Sequence, residues 1–504
     1  MKTSLYGYQQ VIVNKSCSDM LDTETPTVLA ACPGAGKTAM SIQLIEMYLT
    51  KNPKAKVLVL THGTTVLREQ YIQTLKDETP NFTYKMIHRS SEIKKEQVVI
   101  ALPHAFMKTK TWTKFDLIIV DEAHQFYFAE KLVKNIISKA KPKHQLLLTG
   151  SPSIFIRENN KAESEKKTRP FVINTITMGE ILQSGTDNLT DFEVDLAQSA
   201  YDIRKEDYVE DEVRSNFKYT KSATRVTIDN IVTTLRKRLT IKNLDRPSEV
   251  MNRKINEDAT PSYLFGEMGK TMIACASQRQ ASDVAETLNK MNIKTLLSTS
   301  DTDVDSENID KFQTDDEVNV LVVVYRGILG FNYPELTNVI DLSGTRNIDR
   351  IFQLLSRVVR KHPDNRKKLF IKVSSEMLSG YMKHIMTAVL SLTQKEWYDN
   401  FDGKNFLNLP LPLNQKDKRT RKSGGKKNKS SVEARPIEYL GVPVVELFND
   451  VFHADGGKLN IFAWTTLGKV RQEFLGLVRD IVNITRENLE YMIRTGEVDE
   501  RIYD

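Results

Sequence analysis

Short apolar runs separated by amphipathic stretches organise this chain. In its N-terminal region Thr27–Ala30, Val57–Leu60, Val98–Ala101, Asp116–Val120 and Gln145–Leu148 predict strands, and Ala39–Leu49 and Val66–Leu75 carry helical spacing between them. The pattern returns later in the chain. Thr271–Ala276, Lys294–Leu297, Val318–Val324, Asn338–Asp341 and Lys368–Val373 predict strands, with helices at Val284–Leu288 and Ile351–Val359. Strands that are apolar throughout and alternate with helices form parallel sheets covered on both faces. The expected fold class is therefore α/β, with two tandem parallel-sheet lobes at about residues 1–152 and 265–380.

The rest of the chain reads differently. Residues 153–264 are polar and highly charged, and predict a segment between the lobes that is helical in part, with Glu158–Lys167 as a solvated loop. Residues 381–435 predict a helical region followed by a basic linker. The stretch Gln415–Ser431, QKDKRTRKSGGKKNKSS, holds no apolar residue and one acid, Asp417, so it predicts a disordered linker or arm. Residues 436–504 regain helical spacing, through Val444, Leu447, Phe448 and Val451 and then Phe474, Leu477, Val478 and Ile481, and predict a small C-terminal helical domain.

Bulk composition adds little to this. The net charge of +7 over 504 residues fits a polyanionic partner without identifying one. Cys17, Cys32 and Cys275 stand far apart without zinc spacing, and the eight histidines are scattered. Neither a signal core nor an apolar run long enough to span a bilayer is present, so no membrane association is expected. With its unpaired thiols the protein is expected in a cytoplasm, that of a bacterium or of a phage-infected host.

Two local motifs carry chemistry. ACPGAGKT, Ala31–Thr38, lies between a predicted strand and a predicted helix. Pro33, Gly34, Ala35 and Gly36 can turn backbone N–H groups toward a phosphate chain, helped by the positive end of the helix. Lys37 would reach the β- and γ-phosphates and Thr38 would hold Mg²⁺. An ordinary glycine turn is the bland reading, and the strand–loop–helix context argues against it. IIVDEAH, Ile118–His124, places acids at the end of a buried strand, where they are costly unless they meet a cation. Asp121 would bind Mg²⁺ through water, and Glu122 would orient and deprotonate an attacking water. Alone, such a run could simply open a helix with favourable charge.

In this order the pair resembles motifs I and II of superfamily 2 helicases with a DEAH motif, and the resemblance extends over roughly Leu5–Val373. LYGYQQ resembles the adenine-reading motif, with Gln9 on the adenine edge and Tyr6 stacked on the ring. THGTTVLREQ, VVIALPHAFM and LTGSPS are similar to motifs Ia, Ic and III. Thr271–Leu288 is similar to motif IV, and Val320–Gly344, with Gly330 and Asn332, to motif V. QLLSRVVR, Gln353–Arg360, resembles motif VI. There Arg357 and Arg360, three apart on one helix face, would serve with Gln353 as second-lobe groups that meet the transferred phosphate. The resemblance departs from the usual pattern at Ala31 and Ser356 for glycine, Asn332 for aspartate and Leu102 for threonine.

The resemblance implies two RecA-like lobes and an ATP- and Mg²⁺-dependent motor acting on nucleic acid. GFNYP and GTRN resemble phage UvsW-type recombination helicases, which implies forked or branched DNA as the partner and action as a monomer. An RNA helicase of the same fold is the alternative enzyme, and a nucleotide-gated binding protein without motor activity the alternative outside enzymes.

Overall fold

The N-terminal apolar runs assemble into one parallel sheet in the computed structural model. It describes most of residues 5–399, with its longest internal gaps at 243–258 and 375–387, and then residues 438–439 and 442–443. The strands of the first lobe are β1 (Thr27–Ala31), β2 (Val57–Leu60), β3 (Tyr84–Ile87), β4 (Val98–Ala101), β5 (Leu117–Val120), β6 (His144–Thr149) and β7 (Val172–Ile176). They stand in the order β3-β4-β2-β5-β6-β1-β7. Val28, Leu58, Ile100, Ile118 and Leu147 are wholly buried. Each such side chain contributes about 1.5–3 kcal/mol of burial.

The second lobe follows the same logic. Between the lobes come β8 (Phe192–Gln198) and a short hairpin of β9 (Tyr208–Val209) and β10 (Glu212–Val213). After them stand β11 (Thr271–Cys275), β12 (Thr295–Ser298), β13 (Val320–Val324), β14 (Asn338–Asp341) and β15 (Lys368–Ser374). The second sheet has the order β12-β13-β11-β14-β15-β8 and is parallel throughout. The two lobes are thus parallel-sheet α/β domains, as expected.

The segment 153–264 departs from expectation. It gives a strand to each lobe, β7 beside β1 and β8 beside β15. The stretch expected as a solvated loop forms most of helix Ser153–Ser164. β7 and β8 escape a reading of apolar runs because each carries polar residues: Asn174 and Thr175 in one, Glu193 and Asp195 in the other. Their burial is set by the neighbouring strand. β3, with exposed Tyr84 and half-buried Lys85, escapes for the same reason.

The basic arm at 415–431 lies outside the described residues, as does nearly all of 436–504, where Glu438–Tyr439 pairs antiparallel with Val442–Pro443. Cys17, Cys32 and Cys275 are buried and free. Among the described residues no helix is long and apolar enough to cross a membrane.

One buried ion pair fixes the route from sheet to cleft in the second lobe. Lys372 on β15 and Asp341 at the end of β14 meet at 2.5 Å, with side chains 4% and 0% exposed. Lys372 Nζ also donates to the Thr345 carbonyl at 2.8 Å. Asp341 Oδ1 accepts from Ser343 N at 3.1 Å and Ser343 Oγ at 2.6 Å. Residues 343–347 are thereby pinned before helix Ile348–Val358, whose N-cap Asn347 accepts from Arg350 N at 3.0 Å. Lys372→Met should strand a buried carboxylate and lower stability by roughly 3–5 kcal/mol, and adding Asp341→Asn should restore most of it. Denaturant unfolding of the two variants checks this; wild-type stability in Lys372→Met would show that the pair does not hold the loop.

Candidate active site

β1, flanked by β6 and the edge strand β7, ends at Ala31, and helix Lys37–Lys51 begins after a turn of five residues. The intervening turn needs left-handed backbone at Gly34 (φ 91°) and Gly36 (φ 83°). It is also pressed from outside. A Cβ on Gly34 would stand 2.6 Å from Leu189 Cδ2, and one on Gly36 would collide with the Gln9 amide. Gln9 Nε2 and Tyr8 Oη donate to the Ala35 carbonyl at 2.8 and 3.1 Å, and Asn188 Nδ2 donates to the Gly34 carbonyl at 3.0 Å. Carbonyls tied on the outer side are what such a loop needs to turn N–H groups inward to an anion. Lys37 Nζ lies over the same turn, 3.3 Å from the Ala31 carbonyl.

Gln9, expected on the adenine edge, also makes two bonds within the protein. Its Oε1 accepts from Tyr6 N at 3.0 Å, at the start of helix Gly7–Asp22, while its Nε2 holds Ala35, so the amide ties that helix end to the glycine turn. Tyr6 stacks on Tyr8, with centroids 5.8 Å apart, and is 46% exposed.

β5 delivers the acids. Asp121 is 9% exposed, and its Oδ1 accepts from Glu122 N at 3.0 Å. Glu122 adopts left-handed backbone (φ 47°), a conformation that costs a non-glycine residue free energy and collects at functional sites. Burial, and then the charge of Glu122, push the Asp121 carboxyl up to about 7, and Lys37 opposes the shift. A divalent cation at this position would reverse the effect.

His124 joins the acids to the second lobe. Thr149 Oγ1 donates to the Ser151 carbonyl at 2.8 Å, so it accepts from Ser151 N and from His124 Nδ1, both at 3.0 Å. Nδ1 then carries the proton, also facing Glu122 at 3.4 Å, and Nε2 accepts from Gln353 Nε2 at 2.9 Å. Burial lowers the His124 pKa, which keeps this neutral tautomer in place. A second bridge runs beside it. Ser151 Oγ and Ser153 Oγ donate to Asp349 Oδ1 at 2.6 and 2.7 Å.

Helix Ile348–Val358 brings the cations. Gln353 and Arg357 lie on it, and Arg360 follows directly, bridged antiparallel to Leu189 of the inter-lobe segment. Burial lowers the pKa of both guanidinium groups; Glu122 counters this at Arg357, and the charge of Arg357 adds to it at Arg360. Arginine stays protonated under such pressure, so the strain is a demand for nearby negative charge. The groups meet in a cavity of 320 Å³ between the lobes, lined by Pro33, Gly34, Gly36, Lys37, Thr38, Asp121, Glu122, Gln353, Arg357 and Arg360. A polyanion with a divalent cation matches it: fixed cations on two sides, and carboxylates where a metal would stand.

Of the expected residues, Tyr6, Gln9 and Ala35 do not line this cavity; Gln9 braces the turn through the Ala35 carbonyl. Gly330 and Asn332 lie outside the described residues, as do the side chains of motif Ia from 62 to 70. Ser356, in place of glycine, is buried and donates within its helix to the Gln353 carbonyl at 2.6 Å. Sequence reasoning missed Asn188, Leu189 and Asp349 as parts of the site, whereas Gly150 lies in the LTGSPS stretch read as motif III. Asn188 and Leu189 stand in a segment without periodicity, and only the glycine at position 34 hinted that something packs against the loop.

Because the folded pKa of Asp121 lies above its usual 3.8, the folded chain holds that proton more tightly than the unfolded chain. The destabilisation is absent below about pH 4 and grows as pH rises through about 7. Asp121→Asn should therefore be more stable than wild type by roughly 1–3 kcal/mol at about pH 8 without metal, with the difference vanishing near pH 4. Thermal unfolding across pH measures it, and parallel pH profiles for the two proteins would refute the assignment.

Comparison with known families places these elements. Residues 2–154 match the family model described as Type III restriction enzyme, res subunit, and residues 257–362 match the Helicase conserved C-terminal domain. A search of curated proteins finds no match. Among solved structures, the ATP-dependent Type ISP restriction-modification enzyme LlaBIII bound to DNA is 15% identical, with a TM-score of 0.51 over 77% of this chain and 30% of that one. An HsdR-type subunit fragment of a type I restriction enzyme from Vibrio vulnificus YJ016 is 15% identical, with a TM-score of 0.48 over 79% of this chain and 66% of that one. Dbp5 of S. cerevisiae bound to RNA and ADP BeF3 is 15% identical, with a TM-score of 0.47 over 76% of this chain and 87% of that one. The chain thus spans less than two thirds of both restriction enzymes and shares a fold with LlaBIII. With its two matched domains in tandem, the chain is an enzyme built on the helicase-type lobes of a nucleic-acid-dependent ATPase.

Proposed function

We propose that this protein binds ATP with Mg²⁺ between its lobes and uses hydrolysis to move along, and remodel, forked or branched DNA. The observation that carries the ATPase reading is the convergence of Lys37, Asp121 and Glu122 from one lobe with Arg357 and Arg360 from the other on a single cavity. Lys37 would sit against the β- and γ-phosphates. Mg²⁺, held by Thr38 and Asp121, would neutralise charge on the phosphate oxygens. Glu122 takes the proton of the attacking water, and its strained backbone fixes where the carboxylate points. Arg357 and Arg360 stabilise charge on the equatorial oxygens, and only while the lobes are together. His124 and Gln353 tie the acid that activates water to the helix that brings the arginines.

DNA remodelling rests on the resemblance of GFNYP and GTRN to branched-DNA helicases and on the basic arm Gln415–Ser431. The arm can neutralise phosphates without reading bases. It would hold a second arm of the substrate while the lobes, working as a monomer, step along the first.

Lys37→Ala and Glu122→Gln should abolish ATP turnover, with Glu122→Gln still binding ATP. Arg360→Ala should spare ATP affinity while lowering turnover by about three orders of magnitude. Near-normal hydrolysis in any of the three defeats the site assignment. Unwinding should be assayed on forks, junctions, flaps and plain duplexes of DNA and RNA. Preference for forked DNA supports the reading, and stimulation by RNA alone would make the chain an RNA helicase. Changing Lys416, Lys418, Arg419, Arg421, Lys422, Lys426, Lys427 and Lys429 to Gln should leave basal ATPase intact. It should also flatten the salt dependence of fork binding by up to about one log–log unit per lost phosphate contact. An unchanged slope would make the arm a passive tether.

A further inference from the structure

We propose that Tyr398, which follows the second lobe, is a positioning residue for turnover in the cleft between the lobes. Residues 395–399 form a short helix that returns to the first lobe and crosses its sheet at β7. Lys395 Nζ donates to the Thr175 carbonyl at 2.7 Å, and Asp399 accepts from the Thr175 hydroxyl. Lys395 and Asp399 also pair with each other at 3.1 Å. This clasp sets the position of Tyr398, whose side chain is wholly buried.

Tyr398 touches both halves of the machinery. Its hydroxyl donates to the Gly150 carbonyl at 3.0 Å. Its ring stacks on Phe352, with centroids 6.1 Å apart and planes 23° from parallel. Phe352 directly precedes Gln353 on the helix that carries Arg357. Gly150 lies between Thr149, which bonds His124, and Ser151, which bonds Asp349. A Cβ on Gly150 would stand 3.3 Å from Pro33 and 3.5 Å from Lys37 Nζ, so the Gly150 peptide also backs the phosphate loop. One side chain therefore braces the turn between the two inter-lobe bridges while stacking on the helix that those bridges reach.

The chemistry of that contact gives it leverage. The Gly150 carbonyl is buried, and its donor comes from outside both matched domains, which end at residues 154 and 362. Without the hydroxyl the carbonyl must find another donor, and the 149–151 peptides are free to rotate. The hydrogen bonds to His124 and Asp349 depend on the direction of those peptides. Loss of the hydroxyl therefore weakens the registration of Arg357 and Arg360 against the phosphate loop, without altering any group that touches nucleotide. The packing of the ring is a separate matter, and Tyr398→Phe preserves it.

This inference rests on the ATP-hydrolysing reading of the cleft, so one experiment separates the two. Turnover by the full chain that Lys37→Ala abolishes establishes the cleft. On that background Tyr398→Phe should lower nucleic-acid-stimulated kcat about 3–10-fold, with KM for ATP and the melting temperature unchanged. Lys395→Met, which opens the clasp, should act in the same direction. The double variant should be no slower than Tyr398→Phe by more than about twofold, because both act through one strap. Amide hydrogen exchange reads the same contact without turnover: exchange at Ser151 should quicken in Tyr398→Phe while the amides of β5 keep their protection. Wild-type kcat with unchanged exchange at Ser151 overturns the proposal. So does a loss of kcat that tracks a fall in melting temperature, since that marks a packing role alone.

Discussion

Two guanidinium groups in one cleft, Arg357 buried and Arg360 half-buried, facing two carboxylates, set the terms for the rest of this molecule. A charged group taken out of water costs several kcal/mol unless opposite charge comes close. Here like charges are gathered on each side. Arg357 weighs on Arg360, and Glu122 weighs on Asp121. Lys37, in the same lobe, eases Asp121, and Glu122 eases Arg357 across the cleft. A polyphosphate and a divalent cation would complete the balance, because one would supply negative charge to the arginines and the other positive charge to the acids.

Such an arrangement requires rigid delivery from two separate bodies. Each sheet provides it at the carboxyl ends of its strands, where parallel α/β folds open a crevice. The first lobe uses β1 for the phosphate loop, β5 for the acids and β6 for the Thr149–Ser151 turn. The second uses a buried Lys372–Asp341 pair to pin residues 343–347, and the helix of Gln353 and Arg357 starts from there. Between the lobes the bridges are polar and local: His124 with Gln353, and two serines with Asp349. Each joins a residue adjoining the catalytic acids or the phosphate loop to the arginine-bearing helix.

The chain crosses between the lobes at least twice, and both crossings press on the phosphate loop or the turn behind it. Asn188 and Leu189, on the first, hold Gly34 and bridge to Arg360. Tyr398, on the second, holds Gly150. Neither lies in a matched domain, and both bond backbone carbonyls, groups that every sequence presents alike. That explains why no motif announces them.

How much was legible in advance depended on whether the physics was local. The sequence by itself determined the two parallel sheets, since Val28, Leu58, Ile118, Val322 and their neighbours are apolar enough to be buried wherever they pair. It also determined the left-handed glycine turn after β1 and the acids after β5. Gly34 and Gly36 meet a backbone demand of their own turn, and Asp121 and Glu122 follow a buried strand whose end they must occupy. Tertiary structure alone decided the rest. β7 and β8 are strands because β1 and β15 offer them edges, not because their own residues alternate. Gln9 braces the glycine turn because the Ala35 carbonyl lies within its reach. Asn188, Asp349 and Tyr398 enter the site through partners that lie 154, 198 and 248 residues away in the chain. A hydrogen bond over such a separation leaves no period or spacing in the sequence, because its geometry is supplied by the packing of two sheets that must each fold first.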